Sequence, residues 1–136
     1  MNASQPGSPK YENILLIDDN EIDNFINERI IATSYFAKNI IVKKSAKDAL
    51  EFLKGIGIDK DLPEIIFLDL NMPVMDGFGF LNEFAKLEDK IKKKSKVIVL
   101  SSSISPEDIN RASTNPYVYK YLNKPLSDKY LAVINI

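Results

Sequence analysis

Four short stretches of this chain carry an apolar run into a residue that can do chemistry. LLID at 15–18 opens the acidic pair Asp18 and Asp19, IIFLD at 65–69 ends on Asp69, VIVLS at 97–101 ends on Ser101, and YLNK at 121–124 ends on Lys124. A carboxylate beside a buried strand is costly unless something compensates it, so Asp69 needs a partner. Three carboxylates brought within a few ångströms repel one another and resist ionising together, which calls for a cation. Magnesium suits such a set, because it takes hard oxygen ligands, accepts few protein carboxylates and keeps waters for a substrate phosphate. Lys124 adds a second positive charge and Ser101 a hydroxyl donor, and the two can hold the oxygens of a phosphoryl group attached to Asp69. In this reading Asp69 is a nucleophile, and its neighbours make the chemistry possible.

Whether these residues meet depends on the elements that carry them. The stretches 13–17, 39–43, 64–69, 96–101 and 117–122 are short and rich in β-branched or aromatic residues, which predicts five strands. Helical spacing lies between them. Ile22, Phe25, Ile26, Arg29 and Ile30 repeat at three and four; Ala49, Leu50, Phe52 and Leu53 follow Ser45, with Asp48 three residues on as a shortened capping box. Phe78, Leu81, Phe84 and Ala85 follow Gly77, and Ser105-Pro106-Glu107-Asp108 reads as an N-cap, an N1 proline and two first-turn acids. A short last helix is expected from about Ser127.

Five strands alternating with five helices predict an α/β fold, a doubly wound (βα)5 three-layer sandwich around a parallel five-stranded sheet. Near-continuous apolar strands fit a sheet covered on both faces. Right-handed crossovers leave few topologies, of which the flavodoxin-like order 2-1-3-4-5 is favoured. Ligands of such sheets bind outside the carboxyl ends of the strands, at the point where the order reverses. Asp18, Asp19, Asp69, Ser101 and Lys124 all fall on that edge.

Composition narrows the chemistry further. The chain has 136 residues, with no Cys and no His, which excludes a thiol nucleophile, a disulfide, a Ser-His-Asp triad and the usual zinc ligands. Any bound metal must use oxygen. A net charge of −1 gives no general pull toward nucleic acid or an anionic membrane. No apolar run approaches the length of about 18 residues that a bilayer span needs, and MNASQPGSPK lacks the apolar core of a secretory signal. A cytoplasmic protein is therefore expected, with residues 1–11 a disordered lead and residues 12–136 one domain. Six lysines cluster in KLEDKIKKKSK at 86–96, in the connection into the amino end of the fourth strand, and read as a solvated loop opposite the carboxylates.

Taken together, the acidic pair of LLIDDN, the strand-end acid and loop of FLDLNMPVMDG, the hydroxyl of VIVLSSS and the Lys-Pro of YLNKPL resemble the receiver domain of two-component response regulators, over residues 13–136. The resemblance implies that Asp69 is the phosphoacceptor, Asp19 a direct magnesium ligand, Asp18 a ligand through water, and the backbone carbonyl of Asn71 a further ligand. It matches Ser101 to the hydroxyl that moves toward the phosphate, Lys124 to the phosphate-binding lysine, and Tyr121 to an aromatic residue that changes position with it. It also makes the bond before Pro125 a candidate cis peptide. The implied donor is a histidine kinase or histidine phosphotransfer protein, necessarily another molecule because this chain has no His. The implied output is a changed binding preference of the face formed by the fourth helix, fifth strand and fifth helix, read by a downstream protein or by onward transfer. A diffusible, stand-alone regulator or relay intermediate is expected, as a monomer or a phosphorylation-dependent dimer, with no direct nucleic-acid contact and no membrane insertion.

Other readings of the same residues stay open. Tyr121 is in phase with Tyr119 and Tyr117, so the three also read as an aromatic stripe on one face of an edge strand. Which of Ser101, Ser102 and Ser103 faces the phosphate rests on the motif match alone. The fold can also serve as a scaffold that takes no phosphate, although the acid set, Ser101 and Lys124 are all present. An aspartyl-phosphate phosphatase is a third reading, but such enzymes resemble DxDx[TV] at the nucleophile, and here Asn71 stands two residues after Asp69.

Overall fold

The computed structural model describes residues 8–136. Five strands, β1 (Tyr11–Ile17), β2 (Ala37–Lys43), β3 (Ile65–Leu68), β4 (Lys96–Ser101) and β5 (Val118–Asn123), form one parallel sheet in the order 2-1-3-4-5. Six helices surround it: α1 (Glu21–Thr33), α2 (Ala46–Gly55), α3 (Gly77–Phe84), α4 (Asp89–Lys94), α5 (Pro106–Ser113) and α6 (Asp128–Ala132).

Period-two alternation explains why the central strands read as continuous apolar runs. Leu15, Ile17, Ile66, Leu68 and Val97 face α2, α3 and α4, where they pack with Leu50, Leu53, Phe80, Phe84 and Ile91. Ile14, Leu16, Ile65, Phe67, Ile98 and Leu100 face the other way, onto Ile31 of α1 and Leu131 of α6. Two covered faces fix the register, because a slip of one residue would exchange the two sets. The helix starts follow their caps: Ser45 Oγ accepts from Asp48 N–H at 3.1 Å, and Ser105 stands before Pro106 and accepts from Asp108 N–H.

Four features depart from the sequence-based expectation. Residues 1–7 of the expected lead lie outside the described residues, but Tyr11 is already in β1 and buried, and its N–H donates to the Phe36 carbonyl at 2.9 Å. The lysine-rich stretch is not wholly loop. It contains α4, which buries Ile91 and pairs Lys92 with Asp89 one turn back at 3.4 Å. A single apolar residue in six is too little for periodicity to reveal a helix. The face implied by the fourth and fifth expected helices is consequently built here by α5, β5 and α6.

Helix α1 lies where expected, but the Ile/Phe repeat that marks it is not its buried stripe. Ile22, Phe25 and Ile26 are 71%, 65% and 41% exposed, whereas Asn24, Asn27 and Ile31 are buried. The Asn24 side-chain amide donates to the Asp18 carbonyl at 2.8 Å, so a polar residue has to face the strand end there. Finally, β5 carries a register irregularity, with Val97 opposite Val118 and Ile98 opposite Lys120. This extra residue breaks the aromatic stripe. Tyr121 and Val118, three apart, pack together with Val99 and Ala112, while the exposed Tyr119 sends its hydroxyl to the Asn135 carbonyl.

Candidate functional site

The carboxyl edge of the sheet gathers the residues that the motifs singled out. Past the end of β1, Asp18 is still tied into the ladder by its N–H to the Lys43 carbonyl, and past β3 the Asp69 N–H donates to the Ile17 carbonyl at 3.0 Å. Both side chains are buried, while Asp19 faces solvent. Carboxylate oxygens of Asp18, Asp19 and Asp69 lie within 4.8 Å of one another. The Lys124 N–H donates to the Ser101 carbonyl at 2.9 Å, extending the β4–β5 pairing to the same edge. Its side chain then reaches across to the acids: Nζ is 2.7 Å from Asp18 Oδ2 and 3.4 Å from Asp69 Oδ1. The Lys124–Pro125 peptide bond is cis.

This geometry leaves the charges unbalanced. Burial, and then the neighbouring charge of Asp18, raise the pKa of Asp69 to about 6, against the opposing pull of Lys124 and the Asn71 backbone. Burial works against the ammonium of Lys124, but its bonds to Asp18 and Asp23 and the charge of Asp69 outweigh that and push its pKa above the ordinary value. One lysine therefore does not neutralise the set. Asp69 Oδ1 is buried with no hydrogen-bond partner among the described residues. An all-oxygen trio with an orphaned carboxylate oxygen fits a small divalent cation such as magnesium.

The loop from Asn71 to Gly77 frames this site. Asn71 is exposed. The Gly77 N–H donates to the Leu70 carbonyl at 2.9 Å, and a Cβ at Gly77 would stand 2.7 Å from the Asp69 carbonyl oxygen and 2.8 Å from Leu70 Cα. Here only glycine lets α3 start against the backbone that carries Asp69. The sequence pattern suggests helix-start chemistry for Gly77; its contact with the Asp69 backbone is a tertiary feature that no local signal marks.

Ser101 and Tyr121 are joined through one loop residue. Ser101 is fully buried, and its Oγ accepts from the Ser103 N–H at 3.1 Å. The half-buried Tyr121 donates its hydroxyl to the Ser103 carbonyl at 2.8 Å, and the Asn123 amide donates to the same oxygen at 3.2 Å. Of the three serines, Ser102 is exposed and lines a cleft of about 350 Å³ with Asp23, Ile26, Asn27, Lys124 and Pro125. Sequence reasoning missed Asp23, whose Oδ2 lies 2.8 Å from Lys124 Nζ. It ends no apolar run and belongs to no motif, and its spacing within α1 was the one available signal.

No helix among the described residues is long and apolar enough to cross a membrane. Residues 14–134 match the family model of the response regulator receiver domain. Among curated relatives, the "Probable methanogenesis regulatory protein FilR2" of Methanothrix harundinacea is 34% identical over 115 residues, which are 84% of this chain and 72% of that protein. Response regulator Rcp1 of Synechocystis is 32% identical over 124 residues, 90% of this chain and 81% of its own. A solved structure of Rcp1 is described as its Mn2+-bound form; it superposes with a TM-score of 0.70 at 29% identity, covering 88% of this chain and 86% of that one. A two-component response regulator from Cytophaga hutchinsonii superposes with a TM-score of 0.81 at 35% identity, covering 90% and 92% of the two chains.

Proposed function

Since this chain belongs to the response regulator receiver domain family, we propose that it is a phosphoacceptor, taking a phosphoryl group onto Asp69 from the phosphohistidine of a histidine kinase or histidine phosphotransfer protein. The observation that carries the reading is the meeting of three carboxylates and Lys124 around the unpartnered Oδ1 of Asp69. In the transfer a carboxylate oxygen of Asp69 attacks phosphorus, the P–O bond forms as the P–N bond of the donor breaks, and the imidazole leaves with a proton from solvent. Asp18, Asp19, Asp69 and the Asn71 backbone carbonyl would hold magnesium, which supplies charge neutralisation at the transferring group.

Lys124 stands beside Asp69 with its ammonium already in place, so it serves a phosphoryl oxygen with little reorganisation. Ser101 Oγ is held by the Ser103 N–H and is the hydroxyl at the carboxyl end of β4. Its turn toward a phosphoryl oxygen would release that N–H. Because Tyr121 donates to the Ser103 carbonyl, a shift of the loop would carry the aromatic side chain with it. Both lie on the face of α5, β5 and α6, whose preference for a partner protein would change with the phosphate. The chain is then a signalling switch, and the only chemistry it performs is on its own aspartate.

The test is incubation with magnesium and acetyl phosphate, read by intact mass, beside Asp69→Asn and a magnesium-free control. One alkali-labile phosphate that needs magnesium and is absent from Asp69→Asn is expected. Folded protein that binds magnesium but takes no phosphate from either acetyl phosphate or a phosphorylated histidine phosphotransfer protein would refute the reading.

A further inference from the structure

We propose that Asp23, a carboxylate outside the acidic trio, is the positioning residue that shares the Lys124 ammonium with Asp18 and, by giving it an outer partner, leaves Asp18 and Asp69 free to turn to magnesium. The inference rests on the phosphoacceptor reading for its purpose, but not for its geometry.

Lys124 Nζ carries three N–H donors and faces three carboxylates. Asp23 Oδ2 accepts a hydrogen bond from Nζ at 2.8 Å, while Asp18 Oδ2 at 2.7 Å is an ion-pair contact and Asp69 Oδ1 lies farther off at 3.4 Å. Asp23 sits in the first turn of α1, where its own N–H is capped by Asn20 Oδ1 at 3.0 Å. Its side chain is 34% exposed and lines the same cleft as Lys124 and Pro125. The acids on either side of the lysine are therefore unlike. Asp18 and Asp69 are buried and make up the oxygen trio with the exposed Asp19, and Asp23 lies outside it.

Removing Asp23 takes away one of the two short partners. The ammonium then has the inner acids alone to satisfy it, and it settles between Asp18 and Asp69. Any cation entering the trio must displace it from there. With Asp23 present, the outer carboxylate takes the ammonium as the cation takes Asp18. The lysine stays next to Asp69, where a phosphoryl oxygen would need it. The role differs from that of a charge acting only through its field. A field effect adds independently of Lys124, whereas a positional effect disappears with the lysine.

The experiment is a double-mutant cycle in magnesium affinity, measured by isothermal titration calorimetry on wild type, Asp23→Asn, Lys124→Met and the double variant, with circular dichroism to establish folding. Asp23→Asn is expected to weaken magnesium binding, and the factor should be at least about threefold larger with Lys124 present than in the Lys124→Met background, within the range of couplings between contacting residues. Equal factors in the two backgrounds, or no change in either, would overturn the proposal. Acetyl phosphate labelling of the same proteins separates it from the functional reading. Magnesium binding with the expected coupling but no phosphorylation keeps Asp23 in this role and removes the phosphoacceptor. Phosphorylation with additive magnesium affinities does the reverse. A wild type that binds no magnesium overturns both.

Discussion

Replacing Asp69 with asparagine should make the metal-free protein more stable at neutral pH, although it removes the proposed phosphoacceptor. The reason lies in the sign of the shift. Burial and Asp18 raise the pKa of Asp69 from 3.8 to about 6, so the unfolded chain gives up this proton more readily than the folded one. Below about pH 3 the carboxyl is protonated in both states and contributes nothing to the balance. As pH rises from there to 6, stability is lost progressively, and above about pH 7 the full penalty is present. A rise from 3.8 to about 6 corresponds to roughly 3 kcal/mol, and screening by water at the rim of the sheet brings the expected gain to about 1–2 kcal/mol. The favourable contact with Lys124 is already included, since it acts against the shift.

Thermal and urea denaturation in EDTA at pH 7.5 should show Asp69→Asn melting about 3–8 °C above wild type for a domain of this size. At pH 4.5 the gain should shrink to about a third, because there most folded molecules already keep the proton. On the proposed ligand set magnesium should narrow the gap, because wild type offers it one more carboxylate than the variant and a ligand of the folded state stabilises by mass action. A variant no more stable than wild type at pH 7.5 would refute the argument. So would a gain of equal size at both pH values, which would indicate packing.

Other perturbations test the frame around the site. Gly77→Ala places a Cβ against the Asp69 and Leu70 backbone, which cannot rotate away; a loss of about 1–3 kcal/mol in urea denaturation is expected, together with weaker magnesium binding by calorimetry. Tyr35→Gly should do the opposite. Tyr35 has φ 52° at the end of α1, where its N–H and that of Phe36 bond back to the Ala32 and Ile31 carbonyls, a helix stop that favours glycine; relieving it should stabilise the fold by about 1 kcal/mol in the same assay. Tyr121→Phe removes one of two donors to the Ser103 carbonyl and should cost about 0.5–1.5 kcal/mol; amide hydrogen exchange should rise in the 101–105 loop and stay unchanged in β1.

The fold and the centre of the site were legible because both obey one rule. Apolar runs mark buried parallel strands, and the residue after each run lands on the same edge. Asp18, Asp69, Ser101 and Lys124 could be placed by counting from the ends of β1, β3, β4 and β5. Features that depend on a contact between distant segments escaped. The bulge in β5 separates Tyr119 from Tyr121, yet the sequence YVYKY alternates without interruption. Ile91 can fasten α4 because Leu87, Phe84 and Val97 form a surface for it, which six residues of local pattern do not reveal.

Helix α1 carries the same argument into the site. Periodicity assigns the Ile22, Phe25, Ile26 side to the core, on the premise that a helix buries its apolar stripe. That premise holds where the helix lies over the middle of an apolar sheet, as Ile31 does. Its first turns lie beyond the end of β1, where the Asp18 carbonyl needs a donor. Asn24 supplies it, and a leucine in its place would leave a buried carbonyl unpaired at a cost of about 1–3 kcal/mol. One residue earlier, Asp23 meets Lys124. The rotation of α1 that exposes Phe25 is therefore the one that seats the lysine and seals the strand end. A polar stripe at the start of a helix, placed just after an acidic pair at the end of a strand, is the signal that would have identified both Asn24 and Asp23.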